Sequence, residues 1–437
     1  MSQRLLRLLG AALVVCLTTA TARAAPPVPT EDEIEALAQT VLTAALPAST
    51  PGTVSITEAA GERDLSRGFL DDLEALPAWP GEAILVETGT HRLEDLAAAL
   101  DRADLVACEA AACRLAAPLL VAHGAGLVID GLTLRLVQEA GALVSAAGDL
   151  WISEATLEGW HEGQDQPAAT DAEGRQFRPW IAGLEANRTV IRQSRLAHLG
   201  YDSNSTQGLA FTDADRRPRL GRPQVDLVDS QIEDLFFGFF TWNAEGVRVL
   251  RNQIDDSHVY GLDPHDATRD MLIAENFVQN TRDSHGIVMS REIHDTVVTR
   301  NRSIANGGAG YFLDKGSWNV TFAHNEAFDN GTDGITVYES SDVLIQDNHV
   351  AGNGRAGIRI RASADITILD NIVHHNAGPG IFVYDWSHAA REPDAEDEKH
   401  MQPVSVTIIG NRMADNDSGD CSLQGEITVH KADASDC

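Results

Sequence analysis

At 437 residues with a formal charge of −32, the chain is too acidic for a nucleic-acid partner. Hydrophobic residues at 43% and aromatics at 5% suffice for a core but exclude a membrane protein. The length exceeds an ordinary single domain, although an elongated repeat fold absorbs it without splitting. A polyanionic substrate would need positive groups gathered locally.

Arg4 and Arg7 precede the apolar run Leu8 to Leu17, and Ala22-Arg23-Ala24 follows as an A-x-A cleavage site. Residues 1–24 therefore read as a secretory signal peptide, too short for a stable spanning helix. No second stretch of spanning length follows, so no membrane insertion is expected. Cys16 leaves with the signal, and Cys108, Cys113, Cys421 and Cys437 remain. Their closeness in sequence favours Cys108–Cys113 and Cys421–Cys437 disulfides. The spacing is not a zinc pattern, and neither a metal nor a cofactor is expected.

Residues 25–115 read as an N-terminal cap shielding the first rung of a repeat array. Thr30-Glu-Asp-Glu33 is a capping box opening a helix through about Ala45. Further helical patterns cover Leu65 to Leu76 and Leu93 to Leu105. From Leu119 the texture changes to short aliphatic runs: Gly126 to Asp130, Leu132 to Val137, Ala142 to Ser145, Leu150 to Ser153. These are strands separated by turns. Gly163 to Gly174, rich in Asp, Gln and Gly, reads as a loop.

A glycine followed by alternating apolar residues then recurs at Gly238, Gly261, Gly286, Gly310, Gly334, Gly357 and Gly380. Asparagine keeps pace at Asn252, Asn276, Asn301, Asn325, Asn348 and Asn371. Intervals of 23 to 25 residues signal a solenoid. Leucine-rich repeats share the period, but their leucine signature is absent. The prediction is an all-β, right-handed parallel β-helix over residues 116–390, with the asparagines in an internal ladder. Residues 391–437 are expected to form a C-terminal coil and cap.

Aligned on their glycines, the coils separate into columns. Positions one and three steps after glycine are largely apolar and should face the core, Pro264 among them. The outward columns carry Trp242, Asp263, His265, Tyr338, Arg359 and Arg361, with Asp266, Arg291 and Lys315 at the strand ends. Coils stack about 4.8 Å apart, so these residues form one stripe. Aromatics interleaved with Arg291, Lys315, Arg359 and Arg361 suit a sugar polymer bearing carboxylates, which arginine grips in bidentate fashion. Trp242, Asp266, Lys315, Tyr338, Arg359 and Arg361 are thus candidate substrate-binding residues.

Within the stripe, Tyr260-Gly-Leu-Asp-Pro-His-Asp266 places Asp263 and His265 side by side on one strand face. Arg291 follows one coil later and one residue further along, within reach of a group lying against His265. The competing reading of Arg291 is charge balance for Asp263 or Asp266.

This heptapeptide, together with His285-Gly-Ile-Val-Met-Ser-Arg-Glu292, Asp333-Gly-Ile-Thr-Val-Tyr-Glu-Ser340 and Gly357-Ile-Arg-Ile-Arg361, resembles the periplasmic mannuronan C5-epimerases of bacterial alginate biosynthesis. Upstream, Gly126 to Leu136 and Leu199-Gly-Tyr-Asp202 also look like that family. The resemblance spans about Gly126 to Tyr384. It implies conversion of β-D-mannuronate to α-L-guluronate within the polymer, with His265 as base, Arg291 neutralising the substrate carboxylate and Asp263 in the catalytic centre. It also implies a periplasmic location and association with the alginate secretion proteins. The nonapeptide calcium repeats of the extracellular epimerases are absent, which favours the calcium-independent type. Lys315 stands where the family usually has Arg.

The chemistry asks for such a set. A proton α to a carboxylate is very weakly acidic, because its removal leaves a dianion, so a cation against the carboxylate is the first requirement. His265, with a pKa near neutrality, suits proton abstraction. Asp263 can orient the imidazole or raise its basicity, and Asp266 can bind substrate hydroxyls or hold Arg291. Tyr260 is the best candidate for proton delivery from the other face, with water as its rival. His258 and His285 read as structural turn histidines. A polysaccharide lyase shares the first two steps, and a non-catalytic polymer-binding β-helix of an export complex is the other alternative.

Overall fold

The computed structural model describes residues 25–58, 81–203, 206–213 and 221–432. The expected signal peptide, the helical pattern at Leu65 to Leu76, and Cys437 lie outside the described residues.

Among the described residues, three sheets of 14, 13 and 14 strands run the length of a solenoid, so each coil contributes one strand to each face. Pairing between successive coils is parallel and in register, as from Phe239 to Leu262 to Ile287 to Tyr311 to Ile335. These inward residues, with Ile358 and Ile381, are all 0% exposed and belong to one continuous core.

Space is what demands glycine at the head of the first-sheet strands from Gly238 to Gly380. A Cβ on Gly261 would stand 2.4 Å from Val278 Cγ1, and one on Gly357 would stand 2.3 Å from Val373 Cγ1. Both neighbours are core residues of the third sheet. The glycine and the residue after it therefore both face inward. That shifts the alternation and turns the preceding residue, Tyr260 or His285, toward the surface.

The asparagine ladder forms as expected. Asn325 donates through Nδ2 to Asn348 Oδ1 (3.0 Å) and Val298 O (2.9 Å), and its Oδ1 accepts from the Asn301 amide (3.0 Å). A second ladder, Asn306, Asn330, Asn353, Asn376 and Asn416, runs along another corner. Both ladders end on a step of 40 residues, Asn371 to Asn411 and Asn376 to Asn416, which marks an insertion after Tyr384.

Five successive coils leave the first sheet through left-handed residues: Asp266 (φ 39°), Arg291 (65°), Lys315 (53°), Glu339 (43°) and Ala362 (44°). A non-glycine residue there costs about 1–2 kcal/mol. Bonds between stacked corners offset it: Ala267 N–H donates to Arg291 O (2.9 Å) and Glu292 N–H to Lys315 O (3.0 Å). The strained corner is thus where the charged column sits.

The first helix, Glu31–Leu42, has the expected capping box at Thr30. It does not shield the first rung. Its Ile34, Ala38 and Val41 pack on Val190, Val228, Leu250 and Ala274, an apolar stripe on the outer face of the second sheet. Arg192 Nη1 satisfies the last carbonyls, bonding Val41 O, Leu42 O and Ala44 O at 2.7–2.8 Å. The second described helix, Leu93–Leu100, ends short of Leu105 and contributes Leu93 and Leu96 to the core. Parallel pairing begins at Glu82–Val86, ahead of residue 116. The hairpin Val106–Glu109 with Ala112–Leu115 places Cys108 opposite Cys113, and the two form the expected disulfide. Cys421 is also disulfide-bonded.

Candidate active site

The strand Tyr260–His265 lies between Phe237–Trp242 and Ile287–Ser290, with Phe240 beside Asp263, Trp242 beside His265, and Ser290 beside His265 on the other side. Pro264 is buried, and the ladder to Ile287–Ser290 skips it, so its missing N–H leaves no bond unmade there.

Asp263 is 2% exposed, and its Oδ1 has no hydrogen-bond partner. Burial pushes this carboxyl up to about 7, against the pull of His265 and with the help of Asp314 and Asp266. His265 Nδ1 is bonded by the Asp266 carboxylate. The imidazole is therefore oriented by Asp266, not by Asp263, because the left-handed corner at Asp266 turns its carboxylate back to the ring. Asp263 acts on His265 through charge alone. Burial pulls the imidazole down, but the Asp266 hydrogen bond and the charges of Asp263 and Asp266 outweigh it and leave its pKa raised. With Nδ1 engaged, Nε2 is the nitrogen left for chemistry.

Arg291 carries a side chain 40% exposed, with Nη1 3.8 Å from Asp266 Oδ2. Lys315 follows on the next corner. The expected row of four exposed cations is reduced to these two. Arg359 pairs with Asp333 at 3.1 Å. Arg361 bonds the buried Glu339 twice, at 2.7 and 3.0 Å, with Tyr338 and Trp386 stacked 3.7 and 4.3 Å away. Trp386 belongs to the insertion, whose short helix Ala395–His400 folds back so that Lys399 reaches Glu292 at 3.5 Å. Arg361 thus fastens the insertion to the coils. Trp242 lies beside His265 with ring centroids 6.4 Å apart.

Asp314 is a member of the cluster that the sequence reading did not single out. It is buried, accepts from Ser290 Oγ at 2.6 Å, and has its carboxyl pushed up by burial. Its place in the column of His265, two coils on, was visible in the alignment; its burial was not. Tyr260 stands at the other end of the strand from His265. Its ring packs edge-on to Phe237 at 4.9 Å, and burial with the nearby Asp263 raises its phenol. His258 is structural, bonded to Asp234 at 2.9 Å in a cluster with His198, Arg178 and Arg282. Among the described residues no group of three or more His, Cys, Asp or Glu side chains could hold a metal ion.

A parallel β-helix that holds an imidazole–carboxylate couple and exposed cations on one sheet face belongs to the β-helix proteins that carry acid–base groups on a solenoid surface. Residues 237–397 match the family described as Right handed beta helix region. The chain is 33% identical over 354 residues to the mannuronan C5-epimerase of Pseudomonas syringae pv. tomato, covering 80% of this chain and 66% of that protein. It is 32% identical to mannuronan C5-epimerase AlgG of Azotobacter vinelandii, covering 79% and 67%. The crystal structure of the periplasmic alginate epimerase AlgG matches with a TM-score of 0.83 at 27% identity, covering 94% of this chain and 100% of that one. The chain spans about two thirds of the length of the two sequence relatives. It belongs to the mannuronan C5-epimerase family, whose members are isomerases.

Proposed function

We propose that the protein converts β-D-mannuronate residues of polymannuronate to α-L-guluronate within the polymer, with residues 116–390 as the catalytic β-helix. One observation carries the mechanism: the Asp266-held His265, the exposed Arg291 and the unpartnered buried carboxyl of Asp263 share one sheet face.

Arg291, with Lys315 beside it, binds the substrate carboxylate. Three carboxyl groups, Asp263, Asp266 and Asp314, surround the site against those two cations. A uronate therefore fits only when Asp263 and Asp314 take up protons, the direction in which burial already drives both. Protonated Asp263 then donates from a site where its Oδ1 has no other partner, adding a hydrogen bond to the carboxylate as its negative charge builds. His265 Nε2 removes the C5 proton, and Asp266 balances the imidazolium that forms. A proton returns to the opposite face of C5 from Tyr260, whose phenol burial holds in its protonated form. Five residues at about 3.3 Å rise put roughly 16 Å between the Cα atoms of Tyr260 and His265. Their side chains can therefore flank one sugar ring lying over Asp263. No cofactor enters this scheme.

The periplasmic compartment is supported by the likeness to the periplasmic alginate epimerase AlgG and by the signal-peptide pattern. No helix among the described residues is long and apolar enough to cross a membrane. Association with alginate secretion proteins belongs to the same reading.

The test is incubation of polymannuronate with the protein in heavy water, followed by proton NMR. Deuterium at C5, new guluronate signals and constant chain length are expected, and all are lost in His265→Ala and Arg291→Ala. Unsaturated chain ends with falling polymer length would make the protein a lyase. An unchanged polymer would leave only binding.

A further inference from the structure

His285 is an imidazole beside the catalytic strand that the mechanism leaves unused, yet its surroundings are built around it. Its Nδ1 accepts the backbone N–H of Ala309 at 2.9 Å. Gly308 leaves room for the ring, since a Cβ there would stand 2.6 Å from Nδ1. The imidazole lies nearly flat on Phe312, with centroids 4.4 Å apart and planes 13° apart, and nearly parallel to Tyr260 at 6.0 Å and 9°. An acceptor role at Nδ1 requires the proton to sit on Nε2. Burial holds the pKa down at about 4, so the ring stays neutral, and with Nδ1 accepting and Nε2 protonated it has no free lone pair to take a proton from carbon. Nε2–H has no partner among the described residues, and the side chain is half-buried. The result is a rigid neutral donor at the surface, one coil from Tyr260.

The surroundings select what it can meet. The cations Arg291 and Lys315 lie at the opposite edge of the first sheet. At the Tyr260 edge of the sheet, on the coil before His285, is a cavity of about 320 Å³ lined by Tyr260, Phe236, Phe237, Glu173, Asp202 and Asp283. An acidic rim repels a uronate carboxylate, whereas aromatic faces and a neutral N–H suit the hydroxyl-bearing edge of a sugar.

We infer that His285 is a substrate-binding residue, donating from Nε2–H to an uncharged hydroxyl or glycosidic oxygen of the polysaccharide while the carboxylate edge faces Arg291. This rests on the proposed polymannuronate substrate. It makes the sheet two-edged, with charge read on one side and hydroxyl oxygens on the other.

The test compares His285→Phe, which keeps the stack and loses the donor, with His285→Gln, which restores a donor and an acceptor. His285→Phe should raise KM for polymannuronate about five- to tenfold, the worth of one neutral hydrogen bond. His285→Gln should recover most of that, and neither variant should move the limbs of the pH–rate profile. In the wild-type protein, ¹⁵N shifts of the His285 ring should report the Nε2–H form and change on addition of oligomannuronate. An unchanged KM in His285→Phe, or ring shifts indifferent to the oligomer, overturns the inference while leaving the proposed activity intact. A shifted acid limb would make His285 an acid–base group and also overturns it. Wild-type protein that neither binds nor epimerises polymannuronate removes both readings.

Discussion

Asp266→Asn isolates the contact that the structure reassigned. Asp266 is the only group among the described residues bonded to His265 Nδ1, and its charge is one of the terms raising the imidazole pKa. The amide keeps the shape but removes the charge that balances the imidazolium formed on proton abstraction. A hydrogen bond to a charged group is worth about 1.5–3 kcal/mol. Lost in the transition state, that corresponds to a fall of roughly 10- to 150-fold in kcat/KM. The pH profile carries the sharper signature. The base must be neutral to work, and its pKa in the wild type is raised. Removing the carboxylate lowers it, so the acid limb should move to lower pH even as the plateau rate drops. The assay is C5 deuterium exchange into polymannuronate across pH 4.5–9. An acid limb that stays in place, or moves to higher pH, refutes the assignment of Asp266 as the partner of His265. A rate within twofold of wild type would do the same.

Asp263→Asn should abolish most activity yet raise the melting temperature at pH 8. The raised Asp263 pKa makes stability greatest below the ordinary carboxylate range, and it is lost as pH rises toward about 7. At pH 4 the wild type is already protonated there, so the two melting temperatures should converge; a variant less stable at pH 8 would contradict this. Asn325→Ala removes two donated and two accepted bonds from a buried ladder. It should cost on the order of 3–5 kcal/mol in denaturant unfolding, and a loss under 1 kcal/mol would mean the ladder is dispensable. Arg291→Gln should lower polymannuronate affinity and flatten its dependence on ionic strength, because it removes a cation whose side chain is 40% exposed at the site. An unaltered salt dependence measured by calorimetry would place the polyanion elsewhere.

Much of this protein was legible in the chain. The glycine and asparagine periods revealed the coil, since a solenoid imposes the same steric and hydrogen-bonding demand at every turn. The columns read from Gly261 and its counterparts identified which residues face inward, and they brought Asp263, His265 and Arg291 together before any coordinates. The second asparagine ladder had the same period and was hidden among turn residues that asparagine favours anyway. The first helix was placed correctly in sequence and wrongly in space, because its apolar face says that it packs without saying on what.

Sequence alone determined the repeat, the register and the family, because these depend on spacing along the chain. Tertiary structure decided ionisation and pairing. Which carboxylate holds His265 depends on the left-handed corner at Asp266. Whether an arginine is available to substrate depends on whether a buried acid such as Glu339 has already claimed it. That Asp263 holds a proton near neutrality follows from burial and from neighbours on other coils. These are distances across the stack, to which spacing along the chain gives no access.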